Sequence, residues 1–183
     1  MRIVHLGAVA STQEVARDLP VGTAVVAEFQ SAGRGRLDRR WEVPWGTALL
    51  ATFVLPPRPL ALFCAGVAAA EACGLRVRLK WPNDLLLDGR KVAGLLAEQR
   101  GDRCLVGIGI NLAWSPPGGA HLGVAREELL PHLVGSLERW WPCDEGEVLD
   151  AWRERSETLG RRVRVELPNQ TVEGVAEALD ADG

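Results

Sequence analysis

The segment Gly46-Thr-Ala-Leu-Leu-Ala-Thr-Phe-Val-Leu55 carries no charge and stops on Pro56-Pro57. A run of strand length that is apolar throughout predicts a strand covered on both faces, and so a sheet with something packed on each side. The stretch Val21 to Phe29, rich in β-branched residues, predicts a second buried strand. Between them lies Gln30-Ser-Ala-Gly-Arg-Gly-Arg-Leu-Asp-Arg-Arg-Trp41, with arginines at 34, 36, 39 and 40. A basic loop is therefore slung between two core strands. Gly33 and Gly35 let the backbone turn sharply and approach a ligand, and the guanidiniums offer planar forks of donors that match phosphate or carboxylate oxygens.

The rest of the chain is punctuated in the same way. A first strand is expected over residues 3–9, then a helix to about Asp18 with Ser11 as N-cap and Glu14 completing a capping box. Residues 60–74, dominated by Ala and Leu and closed by Gly74, predict a buried helix. Residues 76–80 alternate as a strand, Asp88-Gly89 marks a tight hairpin over 84–91, and further strands are expected at 92–99 and 104–112. Helices at about 126–141 and 144–159 are separated by Pro142, and a hairpin over 161–178 turns at Pro168-Asn169-Gln170. The expected fold is α+β, a mixed and mainly antiparallel sheet flanked by helices, with a main domain over residues 1–159 and a small β tail over 160–183.

With 183 residues, 47% of them apolar, the chain can bury a substantial core. A net charge of −3 argues against a general nucleic-acid binder, so the basic loop has a small target. The cysteines at 64, 73, 104 and 143 form no C-x-x-C pair and no zinc spacing, and are expected to be buried, reduced thiols. Cys64 and Cys73 fall on opposite faces of one predicted helix and cannot pair. A reducing cytoplasm fits, and no apolar run reaches the roughly 20 residues of a bilayer crossing.

Lys80-Trp-Pro-Asn-Asp84 forms a second cluster where a strand meets a turn. As plain structure it closes a hairpin with an Asx-type turn; as a site, Asn83 reads an adenine edge and Asp84 holds Mg2+ with help from water. Lys91 follows in Gly89-Arg-Lys-Val-Ala-Gly94, with a small residue nearby.

In order and spacing, Ser11-Thr-Gln13, Ala27-Glu-Phe-Gln-Ser-Ala-Gly-Arg-Gly-Arg36, Lys80-Trp-Pro-Asn-Asp84, Arg90-Lys-Val-Ala-Gly-Leu-Leu96 and Gly107-Ile-Gly-Ile-Asn-Leu112 resemble the biotin protein ligases. The resemblance implies a class II synthetase-like catalytic domain with a partial SH3-like tail, which makes biotinyl-5′-AMP from biotin, ATP and Mg2+. It further implies transfer of biotin to a lysine of biotin carboxyl carrier protein, a subunit of acetyl-CoA carboxylase. Carried over by position, Lys91, Arg34 and Arg36 would be catalytic. Ser11, Thr12, Gln13, Gln30, Gly33 and Gly35 would bind biotin with those three, beside Gly94 and Gly107. Arg36, Arg39, Trp41, Asn83, Lys91 and Asn111 would meet the nucleotide, and Asp84 the metal.

Two departures stand out: Asp38 replaces a third glycine of the loop, and the tail offers two strands where relatives have about five. The resemblance is to a short form without an N-terminal DNA-binding domain, so no DNA partner is expected. Strand 107–112 is a candidate for edge-to-edge pairing in a homodimer. A lipoate or octanoate protein ligase and a non-catalytic biotin- or RNA-binding module are the alternatives.

Overall fold

A computed structural model describes residues 1–37, 39–167 and 170–181. The expectations for Asp38 and for the turn residues Pro168 and Asn169 lie outside the described residues. Strands β1 (Arg2–Val9), β2 (Thr23–Gln30), β3 (Ala48–Leu55), β4 (Val77–Lys80), β5 (Asp84–Leu87), β6 (Arg90–Arg100) and β7 (Arg103–Asn111) form one sheet in the order β1-β2-β3-β7-β6-β5-β4. Only β1 with β2 is parallel; the other pairs are antiparallel. The expected mixed, mainly antiparallel sheet is what the chain forms.

Pleating sorts β3 between two environments. Leu49, Ala51, Phe53 and Leu55 join the core beneath the helices, whereas Leu50 and Val54 pack on the opposite side. The strand is buried along its whole length, as its uninterrupted apolar run predicts. On the helical side α2 (Ala61–Cys73) packs against β4 and β6 and also against α3 (Arg126–Trp140) and α4 (Glu145–Glu154). It is therefore apolar nearly all round, with Phe63 through Ala70 buried. At Gly66 an added methyl would sit 3.3 Å from Leu79, so the small residue lets helix and sheet approach.

Several expectations change. Helix α1 spans only Thr12–Ala16, and the Ser11 side chain accepts from the Gln13 amide rather than joining Glu14 in a capping box. The reciprocal box forms at α4, between Asp144 and Glu147. That helix ends at Glu154 rather than 159, because the following residues run beside β4: Leu79 N–H donates to Arg155 O, and Glu157 N–H to Leu79 O. Strand β7 lies inside the sheet between β3 and β6, its backbone groups committed on both sides, so residues 107–112 offer no free edge for dimer pairing.

Cys64 and Cys104 are buried as expected, while Cys73 and Cys143 are only half-buried; all four are free thiols. Asp88 and Gly89 both take positive φ, 50° and 75°, the backbone that a tight β5–β6 hairpin needs. The tail is a hairpin of β8 (Arg162–Leu167) and β9 (Gln170–Val175), and Leu179 beyond it is buried in the main core. No helix among the described residues is long and apolar enough to cross a membrane.

Candidate active site

On the face away from α2, the sheet floors a cavity of about 1140 Å³. Gly107 and Gly109 of β7 leave its floor bare, and Gly94 of β6 does the same alongside. At one end the start of α1 meets the end of β2. There Gln30 Oε1 accepts the Thr12 backbone N–H at 2.7 Å and the Thr12 hydroxyl at 2.9 Å. Gln13 Nε2 donates to Leu105 O at 3.3 Å, and its Oε1 accepts from the Thr52 hydroxyl at 3.1 Å. Ser11, Thr12 and Gln13 are buried yet line the cavity, forming a polar end to an otherwise mixed slot.

The arginine loop folds back on itself over the slot. Gly35 N–H donates to Arg39 O at 2.7 Å, and Trp41 N–H donates to Gly33 O at 3.0 Å. Gly33 is required by this close approach, since a Cβ there would fall 2.3 Å from Trp41 O. It is buried behind the loop and does not line the cavity. Trp41 lies across the glycine floor: a Cβ on Gly109 would fall 2.6 Å from its ring, and one on Gly94 3.0 Å. The indole N–H is buried and finds no hydrogen-bond partner among the described residues.

Arg34, Arg36 and Lys91 all line this one cavity, as do Gly35, Arg39, Asn83 and Asp84. The cations are held by neighbours on the sheet. Arg34 bonds Glu98 at 2.7 Å, Arg36 reaches Asn83 Oδ1 at 3.5 Å, and Lys91 meets Asp84 at 2.6 Å with its ammonium 5.7 Å from the Trp41 ring centroid. Lys80-Trp-Pro-Asn-Asp84 turns through a cis Trp81–Pro82 peptide, and Asn83 is anchored by donating to Leu95 O.

One further expected ligand is placed differently. Asn111 is 2% exposed, donates to Ala120 O at 3.0 Å and does not line the cavity, because β7 carries it beyond the floor. The Asp84 carboxylate is engaged by Lys91, and no group of three or more metal-binding side chains occurs among the described residues. These residues therefore form no metal cage of their own.

Three features were not anticipated. Thr52 joins the polar end from the middle of β3; its signal is a hydroxyl inside an apolar strand, on the face opposite the helical core. Glu98 pairs with Arg34 across 64 positions of sequence, a separation that carries no local signal. The tail also reaches the site, since Arg161, Arg162 and Arg164 line the same cavity.

A sheet whose bare glycine floor is closed by a polar end and a basic loop is built to hold a small acid against a second anion, the work of a cofactor-acid ligase. The profile of the Biotin/lipoate A/B protein ligase family matches residues 8–114. That of the biotin protein ligase C terminal domain matches residues 158–183. The chain belongs to the Biotin/lipoate A/B protein ligase family. Within it, the chain is 34% identical to the biotin–acetyl-CoA-carboxylase ligase of Paracoccus denitrificans, over 87% of this chain and 81% of that protein. It is 35% identical to the ligase of the same name from Mycobacterium tuberculosis, over 88% of this chain and 71% of that one. Of the bifunctional ligase/repressor BirA of Bacillus subtilis it spans 41%. Its fold matches the biotin protein ligase from Aquifex aeolicus in complex with biotin and ATP, with a TM-score of 0.80 and 28% identity over 98% of this chain and 88% of that one.

Proposed function

We propose that this chain is an ATP-dependent biotin protein ligase that activates biotin as biotinyl-5′-AMP and transfers it to a lysine of a biotin carboxyl carrier protein. The observation that carries this reading is the convergence of Arg34, Arg36 and Lys91 on the cavity whose polar end is made by Thr12, Gln13 and Gln30. A carboxylate must approach the α-phosphate of ATP although both are anions. At about 4 Å and an effective dielectric near 20 their repulsion is roughly 4 kcal/mol. Three cations at the meeting point offset it.

In the first step a carboxylate oxygen of biotin bonds to the α-phosphorus and pyrophosphate leaves. Lys91, freed from Asp84, follows the negative charge from the carboxylate to the bridging oxygen, and Arg36 faces the phosphates. Mg2+ bound with ATP would shield the phosphate charge, with Asp84, a carboxylate that lines the cavity, to hold it. In the second step the neutral amine of the carrier lysine attacks the acyl carbon and AMP leaves with the electron pair. Until then the mixed anhydride must be kept from water, a role suited to the folded arginine loop and Trp41.

Residues 160–183 act in this reading as a C-terminal module that brings further arginines to the nucleotide end. The four free thiols accord with a reducing cytoplasm. The test is direct: incubate the protein with biotin, Mg·ATP and a carrier domain, and measure the mass of the carrier. A gain of one biotinyl group is expected. No gain with biotin but acylation with lipoate or octanoate would overturn the substrate assignment.

A further inference from the structure

Strand β6 alternates faces from Ala93 onward: Ala93 and Leu95 join the core beneath the helices, while Gly94 and Leu96 line the cavity. Continued backwards with the same pleat, Lys91 would share the face of Ala93 and Leu95 and bury its ammonium in that core. It lines the cavity instead. The strand register explains the reversal. Leu85 pairs with Ala93 and Leu86 with Lys91, so Val92 is an extra residue on β6, a β-bulge, and Val92 and Ala93 both sit in the helical core. A slip of one residue turns the side chain before it to the opposite face.

The backbone beside this bulge is held by a segment distant in sequence. The β6–β7 ladder ends at Ala93 opposite Ile110. Beyond it, the Lys91 carbonyl accepts the Ala120 N–H at 2.8 Å. Ala120 O in turn accepts from Asn111 Nδ2 at 3.0 Å, and Asn111 O accepts the Leu122 N–H at 3.0 Å. Asn111 thus grips residues 120–122 with both side chain and backbone and keeps them on Lys91. Its side chain is buried and its Oδ1 finds no partner among the described residues, so the bond to Ala120 is what orients the amide. A methyl on Gly119 would stand 3.2 Å from Lys91 O and 3.1 Å from Pro116 O, so the segment lies close against the strand.

We propose that Asn111 is a positioning residue for Lys91: through Ala120 it braces the bulge at Val92 that aims the ammonium into the cavity. The inference rests on the ligase reading above, in which Lys91 follows the charge at the α-phosphate. It gives Asn111 a part in that chemistry without any contact with the nucleotide. An ammonium that must pass from Asp84 to a reacting oxygen needs a fixed backbone beneath it, because a displacement of about 1 Å can cost about a hundredfold in rate.

Asn111→Ala removes the donor to Ala120 O, and Gly119→Ala presses the segment away from the Lys91 carbonyl. Each is expected to lower kcat for pyrophosphate release with biotin and Mg·ATP about tenfold, with the ATP KM within about twofold of the parent. In a Lys91→Ala background neither should slow the reaction further, since a residue that acts through Lys91 then has nothing to position. The Ala120 amide should exchange with deuterium faster in Asn111→Ala, while the amides of β7 stay protected. An unchanged kcat in both variants, or a further loss on top of Lys91→Ala, would overturn the brace. A raised ATP KM with kcat kept would overturn it too, and make Asn111 a contact of the nucleotide. Failure of both variants to fold would reduce the segment to a part of the core. A parent that releases no pyrophosphate overturns the ligase reading, whereas an active parent with indifferent variants overturns the brace alone.

Discussion

Lys91 and Asp84 face each other at 2.6 Å across neighbouring strands, one near the start of β6 and the other at the start of β5. A hairpin turn at Asp88-Gly89 brings them together, so a residue seven positions away becomes a counter-ion in the cavity. An incoming anion competes with Asp84 for the ammonium. Lys91→Ala should reduce adenylate formation by at least about a hundredfold, because charge that develops at the α-phosphate loses its partner. Both side chains are partly exposed, so the stability cost should stay within about 1 kcal/mol. Pyrophosphate release and a urea melt read the two effects separately, and a fully active variant would remove Lys91 from the mechanism.

Gly109 makes a second prediction because its missing side chain is where the Trp41 ring rests. A methyl there would stand within 2.6 Å of the indole, so Gly109→Ala must lift Trp41 off the floor and loosen the loop behind it. Overpacking of this kind costs about 1–3 kcal/mol when neighbours cannot move, and less when a loop can give way. The expected signs are faster proteolysis between residues 34 and 41 and a weaker hold on both substrates. Unaltered loop protection in the variant would mean that the ring is not what fastens the loop.

The Glu28–Arg126 pair ties β2 to the first turn of α3, with Arg126 Nη2 at 2.7 Å from the carboxylate. Hydrogen bonds from the Arg126 guanidinium hold the Glu28 carboxyl below its ordinary value. A depressed carboxyl contributes stability that is full above its unfolded value near 4.5 and is lost as pH falls through the lower folded value. Glu28→Gln should therefore cost about 1 kcal/mol at pH 7 and little at pH 2. Urea midpoints of parent and variant should converge on acidification; a difference that does not depend on pH would assign the effect to packing.

Burial pushes the Cys64 and Cys73 thiols up to about 12 and Cys104 to about 11. At pH 8 a thiol at about 11 is ionised about one part in a thousand, and the thiolate is the nucleophile. Native protein should resist iodoacetamide at these three positions until denaturant is added, with Cys143 modified first. Rapid labelling of Cys104 under native conditions would contradict its placement in the core.

The order of strands and helices was legible because it depends on near neighbours. Uninterrupted apolar runs marked buried strands, Ala and Leu marked α2, and Gly74, Asp88-Gly89 and Pro56-Pro57 marked the breaks. Helix ends were less legible: α1 stops at Ala16, where Arg17 N–H and Leu19 N–H close local turns onto Glu14 O and Ala16 O, and α4 stops at Glu154, where pairing with β4 takes over the backbone groups. Within the site, the loop glycines, its arginines and Lys91 announced themselves by residue type and order.

By itself the chain determined which residues could bind an anion, since charge, glycine freedom and turn chemistry reside in short segments. Tertiary structure alone decided which of them meet. It set β7 between β3 and β6 and so denied it an edge, carried Asn111 past the cavity, gave Arg34 the carboxylate of Glu98, and brought Thr52 to Thr12 and Gln13. These relations join residues up to 64 positions apart through the register of a sheet, and strand register follows from how the whole hydrophobic face is buried, not from local preference.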